Sequence, residues 1–75
     1  MEAQKMIDVV KLGNRLREHR ANCGLSMLQA SQAALVSEST LFRLEHGLTK
    51  CVYMTTVDAL CDLYQTTLSD ITKGL

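Results

Sequence analysis

The sequence has no proline, no long apolar run and no excess of charge of either sign. Without proline, helices have to end at glycines and begin at capping side chains. No stretch approaches the roughly 18 apolar residues that suggest a membrane-spanning helix, and the N-terminus MEAQKMIDVVK lacks the long apolar region of a signal peptide. We therefore expect a cytoplasmic protein that does not bind a membrane.

The chain is also short. Its 75 residues, 47% of them hydrophobic, are enough for one small domain and exclude simple disorder. A chain of this size buries only about 60% of the surface that it exposes when unfolded. It gains stability from a partner, and a second copy of itself is the usual one.

Cysteine is scarce and irregularly spaced, at Cys23, Cys51 and Cys61. An odd number without a CxxC pair predicts free thiols in a reducing compartment and not a disulfide framework. His19 and Cys23 lie four residues apart, but two ligands do not make a tetrahedral metal site. We read them as a polar helix residue and a small buried thiol, and we predict no metal.

Catalytic groupings are missing from the sequence as well. No nucleophile, base and orienting group occur in a recognisable set. The glycines are isolated, so no phosphate-cradling loop is expected. We predict that the chain is not an enzyme and holds no cofactor.

Helical periodicity runs through most of the chain, and no alternating strand pattern occurs. Val9, Leu12 and Leu16 recur at helical spacing, and Gly24 closes that segment. The spacing predicts five short helices in an all-α fold. Their expected bounds are about 5–22, 27–34, 38–46 and 55–64, with a Thr55 or Thr56 cap on the fourth and a last turn capped by Ser69.

Capping signals are clearest in residues 26–46. Ser26 with Gln29 three residues later forms the pattern of a capping box, and Ser37 is a natural N-cap for the next helix. Glu38 in the first turn favours the positive end of the helix dipole. The two short helices therefore meet at a steep angle across a connection of about three residues.

The second helix of this unit can project from the body, and an α-helix fits the major groove of DNA. The side chains expected to be exposed are Ser37, Glu38, Ser39, Phe42 and Arg43, with Thr40 near the margin. An ordinary helical hairpin with a solvated face explains the same pattern. Spacing alone favours neither interpretation.

Three segments, LGNRLREHRANCGLS (12–26), VSESTLFRLEHG (36–47) and TVDALCDLYQTTLSDI (56–71), resemble the helix-turn-helix domain of the phage repressor and Cro-like family, also called the Xre family. The resemblance implies a compact five-helix, lambda-repressor-like fold over residues 1–75. It places the helix-turn-helix at about 26–46 and the helices at about 55–73 in dimerisation.

The resemblance also implies roles for single residues. The positions of the DNA-reading helix are taken by Ser37, Glu38, Ser39, Thr40 and Arg43. Phosphate contacts are implied for Ser26, Met27, His46, Thr49 and Lys50. Arg20 and Glu45 match an internal ion pair between the first and third helices. Phe42 on the reading helix fits either a thymine methyl group or the surface of a protein partner.

Several positions depart from the family pattern. Met27 replaces a glutamine, so its side chain cannot donate to a phosphate, and that contact is left to backbone amides. Leu35 replaces a glycine, which implies either a left-handed leucine strained by roughly 1–2 kcal/mol or a different turn. Ala30-Ser31 and Gln65 replace Leu-Ala and Gly, and the loop 47–54 is longer than usual and lacks the family's proline.

An apolar run in the loop at 51–54 suggests a contact surface. The expected homodimer interface consists of Val52, Tyr53, Met54, Leu68, Ile71 and Leu75. A two-fold dimer places two reading helices about 34 Å apart, on a pseudo-palindromic DNA site. The alternative is that Val52 and Met54 simply cover the edge of the core.

Charge changes along the chain, from +2 in residues 1–22 (five cations, three anions) through zero in 23–50 to −2 in 51–75 (one cation, three anions). The resemblance, and not the charge, implies a sequence-specific DNA-binding transcriptional regulator, acting as a homodimeric repressor on double-stranded DNA. The alternative is a protein-interaction module, an antirepressor or adaptor with weak or no DNA binding and a regulatory protein partner.

Overall fold

The computed structural model describes residues 8–75, and these residues form five α-helices without any strand. The helices are α1 (Val9–Asn22), α2 (Met27–Ala34), α3 (Glu38–Glu45), α4 (Met54–Leu63) and α5 (Leu68–Ile71). The all-α, five-helix fold predicted from the sequence is confirmed. Within the described residues, every helix falls short of the length and apolarity needed to cross a bilayer.

Side chains cap the first three helices. The Asp8 carboxylate accepts hydrogen bonds from the backbone N–H groups of Val10 and Lys11, each at 3.1 Å, and fixes the start of α1. The predicted start near residue 5 lies outside the described residues, which begin at residue 8. Ser26 forms the predicted capping box with Gln29, with bonds of 3.0 and 2.8 Å.

The later helix starts differ from the prediction. Helix α4 begins at Met54 without a side-chain cap, so neither predicted threonine cap is correct. Thr67, and not Ser69, caps α5 by accepting from the Asp70 N–H at 3.1 Å. At α3 the prediction is confirmed, because the Ser37 hydroxyl caps the helix by accepting from the Thr40 N–H at 3.0 Å.

The core lies where all five helices meet. Its fully or almost fully buried apolar side chains are Leu12, Leu16, Ala30, Leu41, Leu44, Val57, Leu60, Cys61, Tyr64 and Ile71. Helix α3 packs on α1 and α2, α2 packs on α4, and α5 packs on both α4 and α1. Helices α1, α4 and α5 thus form a base on which the α2–α3 unit sits.

Helix α1 crosses the end of α3 at Gly13, which is buried. A Cβ at this position would lie 2.7 Å from the carbonyl oxygen of Glu45 and nearer still to that of Leu44. Both atoms belong to the backbone, so a larger side chain cannot be accommodated by a rotamer change. Glycine is required here because the two helix backbones are in contact.

Leu35 ends α2 in the left-handed conformation, with φ 61° and ψ 39°. The Val36 N–H then bonds the Ser31 carbonyl at 3.0 Å, which closes the helix. The family's glycine turn is therefore kept with a leucine in it, at a cost of roughly 1–2 kcal/mol in backbone strain. The Leu35 side chain is 91% exposed and recovers none of that strain by burial.

Gly13→Ala is expected to destabilise the fold by about 1–3 kcal/mol, because the methyl group overlaps the backbone of α3. Helix propensity alone predicts the opposite sign, a gain of about 1 kcal/mol. Urea denaturation followed by circular dichroism measures the difference. Asn14→Ala, on the exposed side of the same helix, is the control and should change stability little. A stabilised Gly13→Ala variant would contradict the close helix crossing.

Leu35→Gly is expected to stabilise the fold. Relief of about 1–2 kcal/mol of strain exceeds the roughly 0.4–1 kcal/mol that glycine's freedom in the unfolded chain costs. The same urea denaturation checks this prediction. Gln32→Gly, in the helical part of α2, supplies the matched control and should lose about 0.5–1 kcal/mol. Equal losses at both positions would show that Leu35 is not strained.

Candidate nucleic-acid interface

Helix α3 has one face in the core and one in solvent. Leu41, Leu44 and Glu45 are buried. The opposite face presents the exposed side chains of Ser37, Glu38, Ser39, Thr40, Phe42 and Arg43. The residues expected to read bases are thus brought together on one surface, and no other part of residues 8–75 covers them.

Phe42 is held in place by its neighbour one helical turn later. Its ring stacks on the His46 imidazole with centroids 4.0 Å apart and planes 25° apart. His46 Nδ1 lies 2.8 Å from the Phe42 carbonyl oxygen, which orients the imidazole. Phe42 remains 45% exposed, so the stack holds a partly exposed aromatic ring at the C-terminal half of α3.

Arg20 and Glu45 form a bidentate ion pair between α1 and α3. Arg20 Nε and Nη2 donate to the two carboxylate oxygens of Glu45 at 2.7 and 2.9 Å, and Nη1 donates to the Leu25 carbonyl at 3.0 Å. The hydrogen bond to Glu45 raises the pKa of Arg20. Arg20 therefore supports α3 and the turn before α2 and is not available to read bases.

This pairing changes the charge of the exposed face. The Glu45 side chain has no solvent exposure and its charge is matched by Arg20. In residues 26–50 the unpaired charges are then Arg43 and Lys50 against Glu38, a net of +1 instead of the zero counted along the sequence. Residues 26–50 therefore carry a small excess of unpaired positive charge although the chain as a whole is neutral.

The predicted phosphate-contacting residues separate into two groups. Ser26, His46 and Lys50 are exposed. The Met27 side chain packs against the core, so only its backbone N–H, at the first position of α2, is left as a donor to a phosphate. The Thr49 hydroxyl donates to the Cys51 carbonyl at 2.8 Å, so it stabilises the loop.

The residues expected at the dimer interface do not form one exposed surface. Ile71 is 1% exposed and belongs to the core, so its assignment to an interface is wrong. Val52, Leu68 and Leu75 are half-buried and pack against the core edge. Tyr53, 69% exposed, and Met54, 37% exposed, are the members of the set most open to a partner.

Two of the three thiols are exposed. Cys61 is buried, and burial raises the pKa of its thiol. Cys23 and Cys51 are exposed, so the prediction of a buried thiol at Cys23 is wrong. Among the described residues, no group of three or more potential metal ligands comes together.

Sequence reasoning missed the role of Arg15. Its Nη1 donates to the carbonyls of Ile71, at 3.1 Å, and Lys73, and so ties the C-terminal turn to α1. The signal was an arginine placed between Leu12 and Leu16, beside the apolar stripe of α1. An arginine there can reach free carbonyls at the end of a neighbouring helix.

Tyr64 lies near the Arg20–Glu45 pair and is 4% exposed. Its hydroxyl has no hydrogen-bond partner within residues 8–75. Burial, together with the negative charge of Glu45, raises the pKa of Tyr64 to about 12. The neutral phenol is therefore favoured in the folded state.

Tyr64→Phe is expected to keep or raise stability at neutral pH, since it removes an unpaired buried hydroxyl. A raised folded pKa means that stability is present below the unfolded value of about 10 and is lost as the pH rises towards about 12. Urea denaturation over this alkaline range should show a smaller loss for Tyr64→Phe than for the wild type. Tyr53→Phe, at an exposed tyrosine, should follow the wild type, and identical curves for all three chains would contradict the prediction.

Comparison with known proteins agrees with this architecture. Residues 11–72 match the sequence family described as "Helix-turn-helix domain". No curated protein matches the chain. Among solved structures, the clp gene regulator ClgR from Corynebacterium glutamicum is similar at 25% identity and a TM-score of 0.80, over 95% of this chain and 90% of that one.

Two further structures have the same fold. The restriction-modification controller protein C.AhdI from Aeromonas hydrophila is 26% identical, with a TM-score of 0.80 over 88% of this chain and 98% of that one. A chain of the complex of the SinR and SinI proteins is 17% identical, with a TM-score of 0.81 over 84% of this chain. This chain spans 61% of that protein's length, less than two thirds.

The sequence resemblance to repressor and Cro-like regulators is thus confirmed by independent likenesses in sequence and in fold. The family match covers residues 11–72, most of the chain. The protein therefore belongs to the helix-turn-helix domain family and has the fold of its DNA-binding transcriptional regulators.

Proposed function

We propose that this protein is a sequence-specific transcriptional regulator that acts as a homodimeric repressor in the cytoplasm and inserts α3 into the major groove. One observation carries the proposal. The solvent face of α3 presents polar side chains at Ser37, Glu38, Ser39 and Thr40, then Phe42 and Arg43, and the described residues leave it uncovered. A helix with such a face is the element that fits the major groove and reads base edges there.

The side chains on α3 suit base recognition. Glu38 can accept a hydrogen bond from the amino group of cytosine, and Ser39 can bond to either kind of base. Ser37 is engaged with Thr40, their hydroxyl oxygens 2.7 Å apart, so this pair stiffens the start of α3. Arg43 supplies the positive charge one turn further along.

Anchoring to the DNA backbone comes from the start of α2 and the loop after α3. The first N–H groups of a helix lack partners inside it and favour an anion. Met27 contributes such an N–H, and Lys50 adds a charge from the loop. Since only a few cations face the DNA, affinity per monomer is modest, and binding depends on two copies acting together.

The dimer proposal now rests mainly on Tyr53 and Met54 at the start of α4, with the half-buried Val52, Leu68 and Leu75 at its edge. A two-fold arrangement would set the two α3 helices about 34 Å apart, matching one turn of DNA and a pseudo-palindromic site. The relatives ClgR and C.AhdI are described as a gene regulator and a controller protein, which is consistent with a regulatory role.

A second function is favoured by a different surface. Leu28, Leu35 and Phe42 are large apolar side chains exposed by 49%, 91% and 45%. Such side chains on the α2–α3 unit suit a protein partner better than phosphate. The alternative is therefore an antirepressor or adaptor with weak or no DNA binding, and a similar fold occurs in a complex of two proteins, SinR and SinI.

Genomic fragments captured by the purified protein at low salt, then sequenced, would identify its site and test the proposal.

Arg43→Ala should weaken binding to that site by about 10- to 100-fold, the loss of one good base or phosphate contact. Arg17→Ala removes the same charge from the exposed side of α1 and should have little effect. Fluorescence anisotropy at two salt concentrations should also show steeply weaker binding at high salt. Capture of no fragment at low salt would support the adaptor instead.

A further inference from the structure

A cleft of about 310 Å³ opens between the C-terminal half of α3, the loop that follows it and the first turn of α4. Its volume falls at the lower end of the range for small-molecule sites. It is lined by Thr40 and Arg43 from α3 and by Tyr53 and Thr56 from the start of α4. The cleft therefore adjoins the surface proposed to read DNA and shares Thr40 and Arg43 with it.

The charges on the cleft have one sign. Arg43 and Lys50 line it, and no carboxylate does so among the residues that the structure describes. Neither cation takes part in an ion pair within residues 8–75, where Arg20 and Glu45 form the one salt bridge. Two unpaired cations without a carboxylate beside them favour an anionic ligand in the cleft.

Part of the lining of the cleft is apolar. Leu44, Leu48 and Val52 contribute aliphatic surface; Leu44 is buried, Val52 is half-buried and Leu48 is 63% exposed. A phosphodiester of the DNA backbone is polar on every side and gains little from aliphatic surface. An apolar ring with one acidic group satisfies both the aliphatic side chains and the two cations, with threonine hydroxyls available as further donors.

We infer that this cleft binds a small organic anion, a carboxylate on a flat apolar body, and that the bound anion opposes DNA binding. The second clause rests on the proposed function, because Thr40, Arg43 and Lys50 belong to both surfaces. A carboxylate paired with Arg43 removes the charge that would otherwise face DNA. The anion therefore acts as an inducer that releases the regulator from its site.

The test uses the purified full chain without DNA, with naphthoate as the probe and neutral naphthamide as its matched control. Isothermal titration calorimetry should show saturable binding of naphthoate at one site per chain and at least tenfold weaker binding of naphthamide, the loss of a charge-assisted contact. Arg43→Gln and Lys50→Gln should each weaken naphthoate binding by about tenfold. Arg17→Gln, which removes an equal charge outside the cleft, should bind like the wild type, and circular dichroism checks that all variants fold.

The two exposed cysteines supply an internal control. Cys51 lines the cleft, whereas Cys23 lies at the end of α1 outside it. Saturating naphthoate should slow alkylation of Cys51 by iodoacetamide, read by mass spectrometry of each peptide, and leave Cys23 unchanged. Equal protection of both cysteines, or binding that is insensitive to Arg43→Gln and Lys50→Gln, would overturn the site.

A final arm separates this inference from the proposed function. Naphthoate should lower the affinity of the wild type for its captured DNA site more than naphthamide does, and Lys50→Gln should reduce that effect. If the chain binds DNA but not naphthoate, the inference fails and the proposed function stands. If it binds naphthoate at the cleft but no DNA, the anion site is supported and the regulatory function fails.

Discussion

The position of α3 depends on the ion pair between Arg20 and Glu45. The Glu45 carboxylate has no solvent exposure, and both of its oxygens accept from the same guanidinium. A buried carboxylate without such a partner is costly, by about 3–5 kcal/mol when one side of a pair is removed. The pair lies at the same end of α3 that meets Gly13 of α1, so charge and close backbone contact together fix how α3 leaves the core.

The same pair determines how a neutral chain presents a basic surface. Glu45 sits on α3 among residues proposed to face DNA, yet its charge is neutralised inside the protein by Arg20. Arg43 and Lys50 on the outside are then opposed only by Glu38 in that region. Net charge along a sequence counts buried and exposed groups alike, whereas a nucleic acid responds only to the exposed ones.

The sequence predicted the helices most reliably where a side chain and the backbone formed a specific local pattern. Ser26 with Gln29, and Ser37, each cap a helix as expected, the first through a capping box and the second through the Thr40 N–H. At residues 53–56 and 67–69 several hydroxyls competed, and packing of the core decided the start of α4 and α5. Ile71 was expected at a dimer interface, and its burial follows from the packing of α5 on α1 and α4, which the sequence does not show.

The contacts that position the site could not be predicted from the spacing of residues along the sequence. In the sequence, Gly13 is an isolated glycine within a helix, and only the crossing of α1 with α3 shows that two carbonyls lie against it. In the same way, the sequence does not show that Arg15 donates to a carbonyl of α5. Both depend on residues more than 25 positions away in sequence. At Leu35, by contrast, the sequence predicts either a left-handed leucine or a different turn, and the structure has the left-handed leucine.

The cleft and the outer face of α3 are linked because Arg43 belongs to both. A single guanidinium cannot hold a carboxylate in the cleft and a group of DNA with full strength at the same time, so the two ligands compete for it. Coupling between two binding sites is reciprocal, and the factor by which the anion weakens DNA binding equals the factor by which DNA weakens anion binding. The coupling needs no movement of helices, because α3 is already fixed by Arg20, Glu45 and Gly13. Under the two proposals together, this small domain responds to a ligand through the side chains that the two surfaces share, Arg43 first among them.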